Sequence, residues 1–275
     1  MASETARPPV AVICALEEEL VHLRRALPPG REEWRVGRCA WRTELDGLPL
    51  VLVVCGMGML TAAAVTESVI GQYGPAVVLN YGCAGAHRPE LLPGDIVIGV
   101  QVVAYDNLRE QPDGSQTYAG MRYLRRGITE RATALPANER LLHHATSAAA
   151  TLEGQHEHWP PTLAWPAAID HRSPQVVFGV IGSADRWNRT AESIGALVAR
   201  HETHCEDMEA AAIALACASH DVPFLSVKDI SNTELHAKTE SGGSFLEWFG
   251  PQLGRRAGAL PLAILREIAT SSRGL

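Results

Sequence analysis

Two groups of carboxylates are placed where they could do acid–base work. In "EDMEAAAIALAC" (206–217), Asp207 and Glu209 flank Met208 directly before a run of Ala, Ile and Leu without a charge. A helix that is apolar all round is a buried helix, so these acids stand at the edge of an interior. Carboxylates at a helix N-terminus meet free backbone N–H groups and the positive end of the dipole, and capping alone accounts for them. Glu17, Glu18 and Glu19 in "ALEEEL" open a second helix, where dipole compensation explains two of the three. Acid–base chemistry is the other use of such carboxylates.

Small and aromatic residues supply the rest of a possible site. Gly56 and Gly58 in "CGMGML" begin like a dinucleotide fingerprint, but Thr61 stands where the third glycine belongs. Close approach of the backbone to a small ligand, or a tight turn, remains. Cys83 and Gly85 lie in "NYGCAGA", which suits either a floor under a flat ligand or close helix–sheet packing. Trp187 and Asn188 in "GSADRWNR" suit core covering, or stacking on a heterocyclic base and reading its edge. "KDISN" adds Asp229 and Asn232. His143-His144 and His156-Glu157-His158 raise metal binding, but adjacent histidines diverge on a helix and the second group sits in loop-like sequence. No C-x-x-C pair exists, and neither a metal nor a cofactor is expected.

The elements that must position these residues follow from hydrophobic patterning. Strands are predicted at 10–15, 49–55, 76–80, 95–103, 175–181 and 223–229, several continuously apolar, as in strands covered on both faces. Helices are predicted at 17–27, 59–73, 137–152, 190–202, 208–219 and 245–270. The alternation predicts a single α/β domain with a mixed, mostly parallel central sheet flanked by helices. Ligands of such sheets sit at the carboxyl ends of strands, where the residues above fall. Residues 1–8 read as a disordered leader and 9–275 as the domain. The stretch 105–174, rich in Pro, Gly, His and polar residues, reads as a divergent insertion and not a second domain.

Bulk properties narrow the partners. The 275 residues carry a formal net charge of −7, which disfavours nucleic acid and anionic membranes. No apolar run reaches the length of a membrane span. Six cysteines, mostly inside apolar runs, read as reduced core residues, and a cytoplasmic location is expected.

Four blocks taken together, "VAVICALEEEL", "VVCGMGMLTAAAV", "LNYGCAGAHRPELLPGDIVIG" and "CEDMEAAAIALACASHDVPFLSVKDISN", resemble the nucleoside phosphorylase superfamily. They look most like its hydrolytic branch, the methylthioadenosine/S-adenosylhomocysteine nucleosidases. They occur in family order over about 10–104 and 175–235, and 105–174 matches poorly. The resemblance implies a nucleoside-phosphorylase-like fold, a small-molecule nucleoside substrate and a homodimer or higher homo-oligomer. It implies that Glu209 holds the ribose hydroxyls, that Met208 lies against the sugar, and that Glu19 positions and deprotonates the attacking water. Trp187 falls where the family stacks an aromatic on the base, and Asn188 where backbone contacts read the base edge. Gly58, Cys83 and Gly85 fall on the substrate side, Cys83 replacing a serine usual near the water.

These roles agree with the chemistry. Cleaving an N-ribosidic bond develops positive charge on the sugar; a carboxylate near the ribose stabilises it while a second takes the proton of water.

One position departs. The family ends its last strand with "ISD", whose aspartate protonates N7 of the leaving purine; here it is "ISN". Asn232 can only donate or accept hydrogen bonds. A leaving base that needs less help (a 6-oxopurine, as in futalosine hydrolases), an acid role for Asp229 or water, and loss of turnover are all open. An active enzyme with Asn232 bonded to N7 or the 6-substituent is expected. No arginine precedes "GCAGA", and Glu19 would repel phosphate, so water is the expected nucleophile rather than the phosphate of a purine nucleoside phosphorylase. The competing class is a nucleoside-binding protein without turnover.

Overall fold

The computed structural model describes residues 7–35, 38–152, 170, 172–236 and 255–271. In chain order these form β1 (Val10–Cys14), α1 (Glu17–Ala26), β2 (Arg31–Arg35), β3 (Arg38–Leu45), β4 (Leu48–Val54), α2 (Met59–Tyr73), β5 (Val77–Ala86) and β6 (Ile96–Ala104). An excursion follows with β7 (Leu108–Glu110), β8 (Gln116–Tyr118), β9 (Met121–Arg125), β10 (Ile128–Ala132), β11 (Leu135–Pro136) and α3 (Glu139–Leu152). The chain returns through β12 (Val176–Ser183), α4 (Ala191–His201), β13 (Thr203–Asp207), α5 (Ala210–Ser219), β14 (Phe224–Thr233) and α6 (Arg255–Ser271).

β1 carries the logic of the core. All five of its residues are buried, and they alternate between two apolar clusters, because successive side chains of a strand point to opposite faces. Ala11 and Ile13 join Ala62, Val65 and Val69 of α2 and the alanines of α5. Val10, Val12 and Cys14 join Leu20 and Leu23 of α1, Leu141 and Ala145 of α3, and Leu260 and Ile264 of α6. α5 is buried all round, with seven of its ten residues inside. It starts at Ala210, so Glu209 is its cap.

The ten-stranded main sheet is mixed, and less parallel than the patterning predicts. Five of its pairings are parallel and five antiparallel among the described strands. It also closes on itself in part. β14 bonds β5 on one edge and β6 on the other, and β6, β12, β13 and β5 complete a ring. From β5 the sheet runs on open through β1, β4, β3 and β2. Closure explains the continuously apolar strands: a barrel wall is covered inside by its own side chains and outside by helices.

Several elements escape the hydrophobic pattern. β2 and β3 form a largely exposed antiparallel edge, rich in Arg and Glu, with Ala40 and Leu45 turned inward. β13 is a short polar strand, following α4 in the chain and buried between β12 and β5 in the sheet. β5 and β14 run further than predicted, so "YGCAGA" and "ISNT" are strand and not loop. The excursion carries two hairpins, β7–β8 and β9–β10, and is tied to the body by Met121 of β9 and Leu141 of α3. The predicted start of the last helix, 245–254, and the His156–His158 group lie outside the described residues; His143 and His144 stand on α3.

Candidate active site

The carboxyl ends of β1, β5, β13 and β14 converge on one cavity. Glu19, Cys83, Gly85, Trp187, Met208, Glu209 and Asn232 all line it.

Glu19 is the third residue of α1 and is buried. Its Oε2 accepts the N–H groups of Ala15 and Leu16, each at 3.0 Å, and its Oε1 accepts that of Cys83 at 2.7 Å. A carboxylate at N3 reaching back to the cap N–H is half of a capping box, so the bland role is real. The bond to Cys83, 64 residues on, is not local; it turns the carboxylate toward β5. Gly82 makes this possible, since a Cβ there would lie 2.6 Å from Oε1. The Cys83 thiol is pushed well up, by burial first and then by Glu19, and stays neutral.

Glu209 caps α5 and bonds across the molecule. Its Oε1 accepts the N–H of Gly58 at 2.9 Å and its Oε2 that of Met208 at 3.3 Å. Burial, and then the nearby Asp207, push its carboxyl up to about 7. Gly58 sits at φ +104°, where glycine alone is comfortable, and a Cβ would meet Asp185 Oδ1 at 2.9 Å. Asp185 in turn accepts the N–H of Met59 at 2.6 Å. The N–H groups of Gly58 and Met59 at the start of α2 are thus occupied by carboxylates of this chain.

Lys228 lies behind the wall and carries no role in the sequence reading, and its partner Asp207, on the wall, appears there only as a capping or acid–base carboxylate. Lys228 is almost wholly buried, its Nζ 2.7 Å from Asp207 Oδ2. Burial alone would lower its pKa, but Asp207, Glu209 and Glu19 together raise it, so the cation persists. Asp207 also accepts the Ala210 N–H at 2.9 Å and the Ser183 hydroxyl. A lysine inside the apolar run "PFLSVKD" was the available signal, because a buried ammonium requires a partner.

One wall of the cavity is built on Gly85. β13 places Glu206 in register with it on one flank, and β14 places Asn232 in register on the other. Glu206, also absent from the sequence reading, lines the cavity. Its Oε1 accepts the backbone N–H of Asn188 at 2.8 Å; its Oε2 accepts Asn188 Nδ2 at 2.6 Å and the Tyr105 hydroxyl at 2.7 Å. His87 Nε2 stands 3.4 Å away. Burial would raise the Glu206 carboxyl, but His87, Asn188 and Tyr105 outweigh it and hold it below the ordinary range.

Trp187 is 46% exposed at the mouth beside Met57. Asn188 lies beneath the wall rather than on it, bonded to Glu206, and Gly58 contributes only its N–H. Asp229 pairs in register with Cys83 but does not line the cavity, being next to the inward Lys228 on β14. Asn232 Oδ1 accepts the Ser231 hydroxyl at 3.0 Å, while its Nδ2 is buried without a partner among the described residues.

Comparison with known proteins agrees with this architecture. The chain is 31% identical over 258 residues to a 5'-methylthioadenosine/S-adenosylhomocysteine nucleosidase of Geobacillus kaustophilus, covering 93% of this chain and 95% of that one. A nucleosidase of the same name from S. pneumoniae, solved with a transition-state inhibitor, superposes with a TM-score of 0.73 at 19% identity, over 94% of this chain and 99% of that one. The futalosine hydrolase of Helicobacter pylori does so with a TM-score of 0.73 at 18% identity, over 94% and 97%. Residues 9–266 match the Phosphorylase superfamily model. By family, then, the chain belongs to the phosphorylase superfamily.

Proposed function

We propose that this chain is a purine nucleosidase, an N-glycosyl hydrolase that splits a 5'-modified purine nucleoside into free base and sugar. The 31% identical relative named a methylthioadenosine/S-adenosylhomocysteine nucleosidase supports the reaction class. The observation that carries the reading is Glu19, a buried carboxylate held by three backbone N–H groups at the cavity wall. Three donors fix its orientation and leave lone-pair capacity for one water.

As the base departs, positive charge develops on the ribose. Glu209 lies where it would accept the sugar hydroxyls, with Met208 against the ring, and its negative charge stabilises the cationic sugar. Glu19 takes the proton of the attacking water. Trp187 covers the base and Gly85 underlies it. Asn232 is the cavity-lining residue at the leaving base, with Asp229 behind the wall, so it assists departure by hydrogen bonding rather than by proton transfer. That favours a base that leaves readily and keeps a 6-oxopurine nucleoside, as in futalosine, beside methylthioadenosine-type substrates.

Phosphorolysis fits less well. A phosphate would seek free N–H groups at the start of a helix, and those of α2 at Gly58 and Met59 already serve Glu209 and Asp185. The exposed apolar side chains Met57 and Trp187, which line the cavity, and the exposed Leu60 of α2 support a homo-oligomer that covers them. Six free cysteines support a reducing, cytoplasmic setting. We read 9–275 as one domain with 105–174 as its insertion.

Chromatographic product analysis with and without phosphate tests the reaction. Methylthioadenosine, adenosylhomocysteine, adenosine, inosine and futalosine would each be incubated with the protein. Release of free base without phosphate is expected. Release only with phosphate would move the protein to the phosphorylases, and binding without release would make it a nucleoside-binding protein.

A further inference from the structure

Resting on the purine nucleosidase reading, we propose that Asp185 is a positioning residue that acts through Glu209: its carboxylate holds the start of α2 in the place from which the Gly58 N–H reaches Glu209. The first support is how α2 begins. No side chain of its own caps it; Gly58 stands at the cap position, and Thr61 turns its hydroxyl back to the carbonyls of Met57 and Gly58, each at 3.0 Å. A helix start leaves N–H groups without intrahelical partners. Asp185, 126 residues away from Met59 in the loop after β12, accepts the Met59 N–H at 2.6 Å.

The second support is that adjacent peptide units serve two carboxylates. Gly58 gives its N–H to Glu209 Oε1 at 2.9 Å, and Met59 gives the next one to Asp185. At φ +104°, Gly58 occupies a region that only glycine visits freely, and it has no side chain to anchor it there. Asp185 supplies the anchor, standing so close that a Cβ at 58 would lie 2.9 Å from its Oδ1. The same clasp joins two parts of the cavity lining. Met57 directly precedes Gly58 and Trp187 follows Asp185 by two residues, and both line the cavity.

The third is the electrical balance at Glu209. Burial raises its carboxyl first; Asp207 on β13 and Glu19 on α1 add to that, while Lys228 on β14 and the Gly58 N–H oppose it. The Cys55 thiol of the same loop is pushed up to about 12, by burial first, and stays neutral. The Gly58 bond therefore keeps a larger share of Glu209 ionised near neutral pH, and the ionised form is the one that stabilises a cationic sugar. Two routes from Asp185 to Glu209 have opposite signs. As a bare negative charge, Asp185 would raise the Glu209 carboxyl, so its removal would lower it. As the anchor of the Gly58 N–H, it lowers that carboxyl, so its removal raises it.

The test reads Glu209 directly and needs no turnover. Protein carrying a carbon-13 label at the glutamate carboxyls would be titrated by NMR, with the Glu209 signal assigned by its absence in E209Q. D185A is expected to raise the Glu209 midpoint by at least about 0.5 in pH, the scale of losing one hydrogen bond to a charged group. D185N keeps the acceptor oxygen without the charge, and its midpoint is expected within about 0.2 of the wild type. A D185A midpoint that falls or stays with the wild type, or a D185N midpoint that follows D185A, would overturn the proposal. Hydrogen exchange on the unaltered protein covers a D185A that fails to fold. The Gly58 and Met59 amides are expected to exchange together, at least about tenfold more slowly than in an unstructured chain, and free exchange of either overturns the assignment. Hydrolysis is scored separately. Where the wild type releases base, the acid limb of kcat/KM should move up in D185A and stay in place in D185N; a limb that ignores the midpoint removes Asp185 from the reaction. Where it releases none, the midpoints still decide on Asp185 and only the nucleosidase reading is lost.

Discussion

Lys228 and Asp207 form an ion pair with 2.7 Å between Nζ and Oδ2, both nearly closed to solvent, at the wall of the cavity that Glu19 and Glu209 line. Glu19 and Glu209 both act on this cation, so it balances three buried acids at once. Removing one member of a buried pair leaves an uncompensated charge, at a cost of about 3–5 kcal/mol. K228M is expected to lose stability on that scale in chemical denaturation. Adding D207L should recover part of the loss, because the two effects are coupled.

Glu19 is predicted to act on water and not on base binding. E19Q keeps the size but cannot take a proton, and its NH2 would face backbone donors where the carboxylate faced them as an acceptor. A fall in kcat of roughly 10²–10⁴ is expected. Calorimetric affinity for the free base should change little. An equal loss in both would move Glu19 into a binding role.

A milder perturbation of the same carboxylate comes from β5. G82A puts a methyl group within 2.6 Å of the present Oε1 position, with strand backbone on either side. The carboxylate must shift away from the Cys83 N–H. Steady-state kinetics should give a kcat decrease of at least about tenfold, the scale expected for a displaced base, with KM nearly kept.

Glu209 is predicted to make the reaction pH-dependent on the acid side. Its carboxyl, raised to about 7 by burial and Asp207, is protonated below that pH and then cannot stabilise the cationic sugar. The kcat/KM profile should rise with pH through about 7. Stability moves the other way. The folded state holds this proton more tightly than the unfolded chain, whose value is 4.5, so this contribution is full below 4.5 and lost as pH rises through about 7. E209Q should flatten that slope in denaturation measured across pH.

Asn232 can be converted into an acid. N232D places a carboxyl beside Ser231 and Gly85 in the same cavity. Release of adenine, which gains most from proton donation at N7, should accelerate by at least about tenfold in kcat at mildly acid pH. A variant no faster than wild type on any adenine nucleoside would show that departure of the base is not limited by protonation.

The sequence made some of this visible and hid the rest for physical reasons. "VAVIC" and "LPLVLVV" announce themselves because core strands covered on both faces are apolar throughout. "THCED" gives no such signal: β13 is buried by ring closure but spends its side chains on polar partners, so a short polar stretch between helices looks like a connection. β3 and β4 carried a turn signal, Asp46-Gly47, both at positive φ and joining Leu45 to Leu48. The charged edge strands around it obscured the hairpin. The same division holds at the site. Glu19, Met208 and Glu209 belong to motifs with fixed spacing. Glu206 gains meaning only from its register with Gly85 across the sheet, and Lys228, though signalled by its apolar run, finds its partner Asp207 on another strand.

Ring closure has one more result. β14 is bonded to β5 along its length and to β6 through Val227–Asp229, so over that stretch neither edge of its backbone is free. Such a strand should be among the last to exchange its amide protons, and its side chains are presented from a nearly immobile rail. Asn232, three residues beyond that doubly bonded stretch, is thus carried on a strand whose backbone has little freedom to drift.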